Sequence, residues 1–398
     1  MISKRVQGVS PSETLKISAK AKQMKREGKS VISLSAGEPD FLTPAHICNA
    51  AIDAITAGQH KYTMNTGMPE LREAVCEKLK RDNNLDYSPD QILVSNGAKQ
   101  SIGFSILTLI NPGDEVIIPA PYWVSYPEMV KVAEGKPVIV KTDFENHYKL
   151  TAEELKKSIS KKTKALILCS PSNPTGACYT PEELTELAEV LDQHPDIIIL
   201  SDEIYEYIVF DHTHTSILNA APELKERTVL INGFSKGYAM TGWRLGYLAA
   251  ENEITSAVAK LQSQETSAPS SISQAAGIAA YKGSMKPVTD MKNAFRERRD
   301  YIVDALNQIE NVRCFKPSGA FYVFPDISGW LGSKTATGEK IKSSTDLCLH
   351  LLDRYGVAAV PGDAFGEPSG IRLSYASSMD DLKEAIRRIR LGIQSLQK

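Results

Sequence analysis

Ile197-Ile198-Ile199-Leu200-Ser201-Asp202-Glu203-Ile204-Tyr205 opens with three isoleucines and a leucine and then breaks at a serine and two acids. A short apolar run without polar alternation is the pattern of a strand covered on both faces, as in a parallel sheet. Working outward, similar runs lie at Gln91 to Val94, Glu115 to Ile118, Lys136 to Val140, Ala165 to Leu168, Thr228 to Ile231 and Leu245 to Ala249, bounded by Gly, Pro, Asn or Asp. Helix-start signals stand between several of them, such as Thr151-Ala152-Glu153-Glu154 and Thr180-Pro181-Glu182-Glu183. This alternation predicts an α/β fold with a mostly parallel sheet flanked by helices.

Toward the ends the pattern changes. Ser10-Pro11-Ser12-Glu13 predicts a helix start, with the helix stopping near Gly28, and a strand follows at Val31 to Leu34. Thr43-Pro44 opens another helix and Glu70 to Arg81 forms a further one. Beyond about Lys286 come a long charged helix (Met291 to Gln308), strands at Gly319 to Phe324, Val357 to Val360 and Ile371 to Tyr375, and a closing helix from Met379. We therefore expect a large unit over 43–286 and a smaller α+β unit made from both chain ends, 1–42 and 287–398. No internal repeat or low-complexity segment is present.

With 46 Lys+Arg against 48 Asp+Glu and no long block of one sign, the chain lacks the signature of a nucleic-acid or polybasic membrane surface. The six cysteines show no CxxC or zinc-ligand spacing, so they are expected to be reduced thiols, and no metal is expected. The N-terminus lacks the apolar core of a signal peptide and no apolar run is long enough to span a bilayer, which makes the cytoplasm the expected compartment.

Chemistry concentrates in a few stretches. Gly233-Phe234-Ser235-Lys236-Gly237-Tyr238-Ala239-Met240-Thr241-Gly242-Trp243-Arg244-Leu245-Gly246 places a lysine in a tight loop after a buried strand, with an arginine eight residues on. A buried lysine loses pKa and becomes a free amine able to form an imine, while Arg244 and Ser235 suit a phosphate. An arbitrary lysine in such a loop is more often simply exposed. Asp202 falls where a buried strand ends, the place where α/β sheets present ligand groups, although an acid there also caps helices. Ser170-Pro171-Ser172-Asn173-Pro174-Thr175-Gly176 reads as a turn, and Pro121-Tyr122-Trp123-Val124-Ser125-Tyr126 as core. Gly97-Ala98-Lys99-Gln100 follows a strand and opens a helix, so its N–H groups could meet an anion. In Gly370-Ile371-Arg372-Leu373-Ser374-Tyr375 the arginine faces away from its apolar neighbours, which for a random strand means toward solvent.

Taken together, these stretches resemble the class I pyridoxal-phosphate-dependent aminotransferases, fold type I, in the same order from about residue 30 to 376. The Ser35-Ala36-Gly37-Glu38-Pro39-Asp40 and Pro121-Tyr122-Trp123 blocks are most similar to the prokaryotic aspartate aminotransferase branch. The resemblance implies that Lys236 carries pyridoxal 5′-phosphate as a Schiff base, that Asp202 partners the pyridinium nitrogen, and that Trp123 stacks on the ring. It implies Asn173 and Tyr205 at the phenolic oxygen, and Gly97, Ala98, Lys99, Ser235 and Arg244 around the phosphate. Arg372 becomes the clamp for the substrate α-carboxylate, a task suited to a guanidinium fork, with Gly37 and Asn173 beside it. Lys99 is implied at the distal carboxylate of a dicarboxylic substrate, and Tyr62, after Lys61, at the phosphate of a neighbouring subunit, hence a homodimer with shared sites. Many relatives carry Ser where this chain has Gly233, which would remove a hydroxyl from the phosphate site.

The implied activity is reversible ping-pong transfer of an amino group between L-aspartate and 2-oxoglutarate, with Lys236 moving the Cα proton. Prephenate or aromatic amino acids are alternative substrates within the branch. A pyridoxal-phosphate lyase would share Lys236, Asp202 and Arg372 but need no keto-acid acceptor. A transcription regulator on this fold would need a DNA-binding module ahead of it, and the first forty residues contain no basic recognition helix.

Overall fold

The computed structural model describes residues 2–10 and 13–398. Its centre is a seven-stranded sheet whose strands run, edge to edge, Ile92–Ser95, Gly246–Ala249, Thr228–Gly233, Ile198–Asp202, Thr163–Cys169, Glu115–Ala120 and Lys136–Lys141. Every neighbouring pair is parallel except the two made by Gly246–Ala249, which runs against both of its neighbours. All seven of the expected strands are there, displaced by no more than two residues at either end.

Why the runs are apolar throughout is visible in the packing. Successive strand residues point to opposite faces, and each face has its own core. Leu200, Val229, Ile231, Ile167 and Val116 pack on one side, while Ile199, Leu230, Leu166, Leu168 and Ile117 pack on the other. Helices cover both faces, among them Ala98–Leu109 and Asn252–Glu265, and Pro69–Asn83, Pro181–Asp192 and Ser271–Lys282. Both predicted capping boxes form. Thr151 Oγ accepts from the Glu154 N–H at 3.2 Å while the Glu154 carboxylate accepts from Thr151 N at 2.8 Å, and Thr180 pairs with Glu183 in the same way. Each such cap is worth about 1 kcal/mol.

The helix Glu13–Arg26 ends as expected, with Gly28 at a φ of +82°, but its expected start over Pro11-Ser12 lies outside the described residues. The single strand expected over Val357 to Val360 is two strands. Val357–Ala358 pairs in parallel with Ile32–Ser33, and Val360–Pro361 pairs antiparallel with the strand Ile371–Ser374. Ala359 lies between the two registers, and Pro361, lacking an N–H, marks where the second pairing stops. The expected strand over Gly319 to Phe324 shortens to Tyr322–Val323, which pairs with Leu373 and Ser374. No helix among the described residues is long and apolar enough to cross a membrane.

Candidate active site

Five strands of the large sheet deliver the chemistry-bearing segments from their carboxyl ends, where parallel α/β sheets hold ligands. Ser95 leads to Gly97-Ala98-Lys99, Ala120 to Trp123, Cys169 to Asn173, Asp202 to Tyr205, and Gly233 to Ser235-Lys236. These segments, with Arg372 from Ile371–Ser374 and Gly37 from the N-terminal segment, enclose a cavity of about 630 Å³. Gly37, Ala98, Lys99, Trp123, Asn173, Asp202, Tyr205, Ser235, Lys236, Arg244 and Arg372 all line it. Tyr62 does not: it is 95% exposed, away from this chain's own cavity.

Lys236 sits half-buried, its Nζ donating to the Gly37 carbonyl and lying 5.8 Å from the Tyr205 ring centre. Burial, reinforced by the charge of Arg372, lowers its pKa to about 8. Asp202 is 4% exposed. Its Oδ2 accepts from the Tyr126 hydroxyl at 2.6 Å and its Oδ1 from Ile204 N at 3.2 Å. Burial raises it to about 6 even though both hydrogen bonds pull the other way.

Arg372 is not the solvent-facing arginine its strand position alone would give; it is 4% exposed. Its guanidinium donates to Asn173 Oδ1 at 3.0 Å and to the Ser35 carbonyl at 2.8 Å, and lies 4.5 Å from the Tyr322 ring centre. Among the described residues its Nε has no acceptor. A buried guanidinium that lines the cavity with donor capacity to spare is suited to an incoming carboxylate.

Gly97 caps the helix Ala98–Leu109 with a φ of +84°, and a Cβ there would stand 2.7 Å from Arg244 Nη2. Arg244 is held by the carbonyls of Thr241, at 2.8 Å, and Asn96, at 3.3 Å. Beneath the same turn, a Cβ on Gly246 would lie 2.6 Å from the Gly97 carbonyl carbon, so the strand passes under the helix start only because it has no side chain there. Gly233 is equally confined, with Gly246 Cα 2.8 Å from where its Cβ would be, and it does not line the cavity. Lys99 lies 5.2 Å from the Trp123 ring centre, its pKa lowered by burial and then by Arg244.

Two cavity tyrosines have no role in the sequence reading. Tyr126 holds Asp202 and meets Trp123 edge-on, with ring centres 5.3 Å apart. Tyr322 shares a 2.9 Å hydrogen bond with the Tyr205 hydroxyl. Glu203, Glu206 and His214 also gather within 4.8 Å, outside the cavity. Glu203 already accepts from Ser201, Ser216 and His214, and Glu206 from Lys78 and Asn83, so the group is an internally satisfied network.

A fold with a mostly parallel sheet, and a cavity at its carboxyl edge holding a lowered-pKa lysine, a buried acid and a buried arginine, suit an enzyme that forms an imine with a carboxylate-bearing substrate. Residues 29–389 match the model of aminotransferases of class I and II, and the chain belongs to that family, whose members use pyridoxal phosphate. It is an aminotransferase. Among its relatives, the aspartate/prephenate aminotransferase of Nitrosomonas europaea is 48% identical, covering 98% of both chains. The aspartate aminotransferase of Bacillus subtilis is also 48% identical, covering 99% of both. The solved aspartate aminotransferase of Rhizobium meliloti superposes with a TM-score of 0.97 at 46% identity over 100% of both chains. That of Thermus thermophilus, solved with maleate, gives 0.92 at 39% identity over 98% of this chain and 99% of that one.

Proposed function

We propose that this aminotransferase uses pyridoxal phosphate bound through Lys236 to exchange the amino group of L-aspartate with 2-oxoglutarate. The observation that carries the reading is the joint presence, on one cavity, of the Lys236 amine with its pKa lowered to about 8, the buried Asp202 carboxylate and the buried guanidinium of Arg372.

The donor set fits the cofactor. The helix start at Ala98-Lys99, with Ser235 and Arg244, offers N–H groups and positive charge for its phosphate, while Gly97, its N–H bonded to the Ser95 carbonyl at 2.8 Å, shapes the turn and does not line the cavity. Asp202 offers a buried carboxylate for its ring nitrogen, Trp123 a ring face, and Asn173 and Tyr205 polar atoms for its phenolic oxygen. Bound there, pyridoxal phosphate supplies an electron sink for negative charge at the substrate Cα. The remaining work falls to the chain. Arg372 grips the α-carboxylate by its guanidinium fork, with Asn173 and Gly37 beside it. Lys236 Nζ, its pKa lowered toward neutrality, takes the proton from Cα in its free-base form and later returns it. Trp123, Tyr322 and Val124 wall the cavity around that exchange.

Choice of aspartate rests on Lys99 as the cation for the second carboxylate. It is supported by the names of the relatives and by the dicarboxylate maleate held by the Thermus thermophilus enzyme. Prephenate is a second acceptor to test, because the Nitrosomonas europaea relative is named for it. A panel of amino donors against oxaloacetate, 2-oxoglutarate and prephenate decides between them. In that panel Lys99→Ala lowers kcat/KM for aspartate and glutamate about 10-fold to 100-fold, the cost of one charged hydrogen bond, and spares aromatic donors. Equal losses for every donor would remove Lys99 from the substrate site.

Two structural parts of the same reading are proposed with it. The chain divides into 43–286 and 1–42 with 287–398, supported by the pairing of Ile32–Ser33 with Val357–Ala358, which joins the two ends. It works as a homodimer in which Tyr62 reaches the phosphate of the other subunit's site, supported by that tyrosine's exposure.

A further inference from the structure

We propose that Tyr126 is a positioning residue that keeps the Asp202 carboxylate ionised and fixed in direction. The inference rests on the reading of Asp202 as the partner of the cofactor ring. It starts from an imbalance: an acid buried this deeply favours its neutral form, yet pairing with a protonated ring nitrogen requires the anion.

The Tyr126 hydroxyl is in place to resolve it. It is 2.6 Å from Asp202 Oδ2, the phenol is 2% exposed, and Asp202 is the acceptor its hydroxyl meets. Burial first, and then the charge of Asp202, hold the phenol well above its usual pKa, so it stays protonated and donates. With Oδ1 taken by the Ile204 N–H, the carboxylate plane is fixed from two sides. The helix Ser125–Val132 begins beside Trp123, and the Tyr126 N–H is bonded to the Trp123 carbonyl at 3.0 Å. One short segment therefore sets both the aromatic wall of the cavity and the direction of its acid.

The other groups facing Asp202 are Glu203 on its own strand, Cys169 on the adjacent strand and Lys236 from the following loop. Burial would raise Glu203, but bonds from His214, Ser216 and Ser201 hold it below the usual range. Burial pushes the Cys169 thiol far up, so it stays neutral. Lys236 titrates at about 8, above the window that matters here. Between pH 5 and 7, Asp202 is thus the group among these that changes charge.

The test is a four-way comparison of cofactor-free protein: wild type, Tyr126→Phe, Asp202→Asn and the double variant, melted at intervals from pH 5 to 7. Removing the hydroxyl moves the Asp202 titration up by about one pH unit, equivalent to one hydrogen bond. A carboxyl whose folded pKa is raised loses stability as pH climbs toward that pKa, so Tyr126→Phe keeps losing ground where wild type has levelled off. The gap in melting temperature between Tyr126→Phe and wild type widens with pH, and on the Asp202→Asn background it stays flat. A gap of constant size on both backgrounds overturns the proposal and leaves Tyr126 as packing. Pyridoxal phosphate affinity, measured on the same four proteins, separates the underlying reading. If Asp202→Asn binds as tightly as wild type, the role of Asp202 fails, whatever the melting curves give.

Discussion

In the proposed reaction Lys236 acts only when neutral, and its pKa of about 8 leaves a minority of free amine at pH 7. Borohydride trapping of pyridoxal phosphate on the peptide containing Lys236 should therefore accelerate as pH rises toward 8 and level off above it. A rate still climbing at pH 10, as for a solvated lysine, would contradict the burial argument. Lys236→Ala should cost transamination at least about a hundredfold, the usual loss of a general base. Arg372→Lys keeps the charge but loses the fork that reaches Asn173 and Ser35 together. The KM of every amino donor then rises, by about 10-fold or more, since one charge-assisted bond is worth about 1.5–3 kcal/mol. These residues were legible because each sits in a compact local stretch with its chemistry on show. Tyr126 and Tyr322 were not. Their partners Asp202 and Tyr205 lie 76 and 117 positions away, and a lone tyrosine reads as core until the fold brings the pair together.

The elements around the site impose costs of their own. Gly246→Ala drives a methyl into the Gly97 turn, so it should destabilise the protein by about 1–3 kcal/mol in chemical denaturation and weaken cofactor retention in parallel. The helix Pro69–Asn83 is tied to the turn after Ile198–Asp202 by Lys78, fully buried, which donates to Glu206 and to Asn83 Oδ1. Lys78→Met strands the Glu206 charge and should cost about 3–5 kcal/mol, while adding Glu206→Leu should recover much of it. Unfolding curves of the two variants check the pair. Strands of the large sheet were readable because burial on both faces leaves no polar residue to blur the run. The helix Ser344–Tyr355 was not read at all, since the residue three places after its Ser343 cap is aspartate rather than the glutamate or glutamine that marks a capping box in sequence. The strand at Ile32–Ser33 was read, within Val31 to Leu34, but its pairing was not, because its partner Val357–Ala358 lies more than three hundred positions away.

At the scale of the whole molecule, the class of fold followed from the alternation of runs and helices, and the two chain ends were expected in one smaller unit, whereas the register in which Ile32–Ser33 meets Val357–Ala358 was not legible. Tyr62, 95% exposed, lies on a stretch of chain that also exposes Leu42, Ile52 and Met64, and the proposed dimer would cover Tyr62. Sedimentation should give twice the 43.6 kDa chain mass. Mixing Lys236→Ala with Tyr62→Ala subunits should restore activity toward roughly a quarter of wild type, because half of the random dimers carry one intact site of two. Parental activities that merely average would place Tyr62 outside the shared site. The sheet itself has a further consequence. Each chemistry-bearing loop hangs from its own strand, and the strands are locked to one another by main-chain bonds and two apolar layers. The framework therefore stays in register while the loops are tied to one another across it, Tyr126 to Asp202 and Asn173 to Arg372, so a change of substrate preference calls for paired substitutions rather than exchange of one loop at a time.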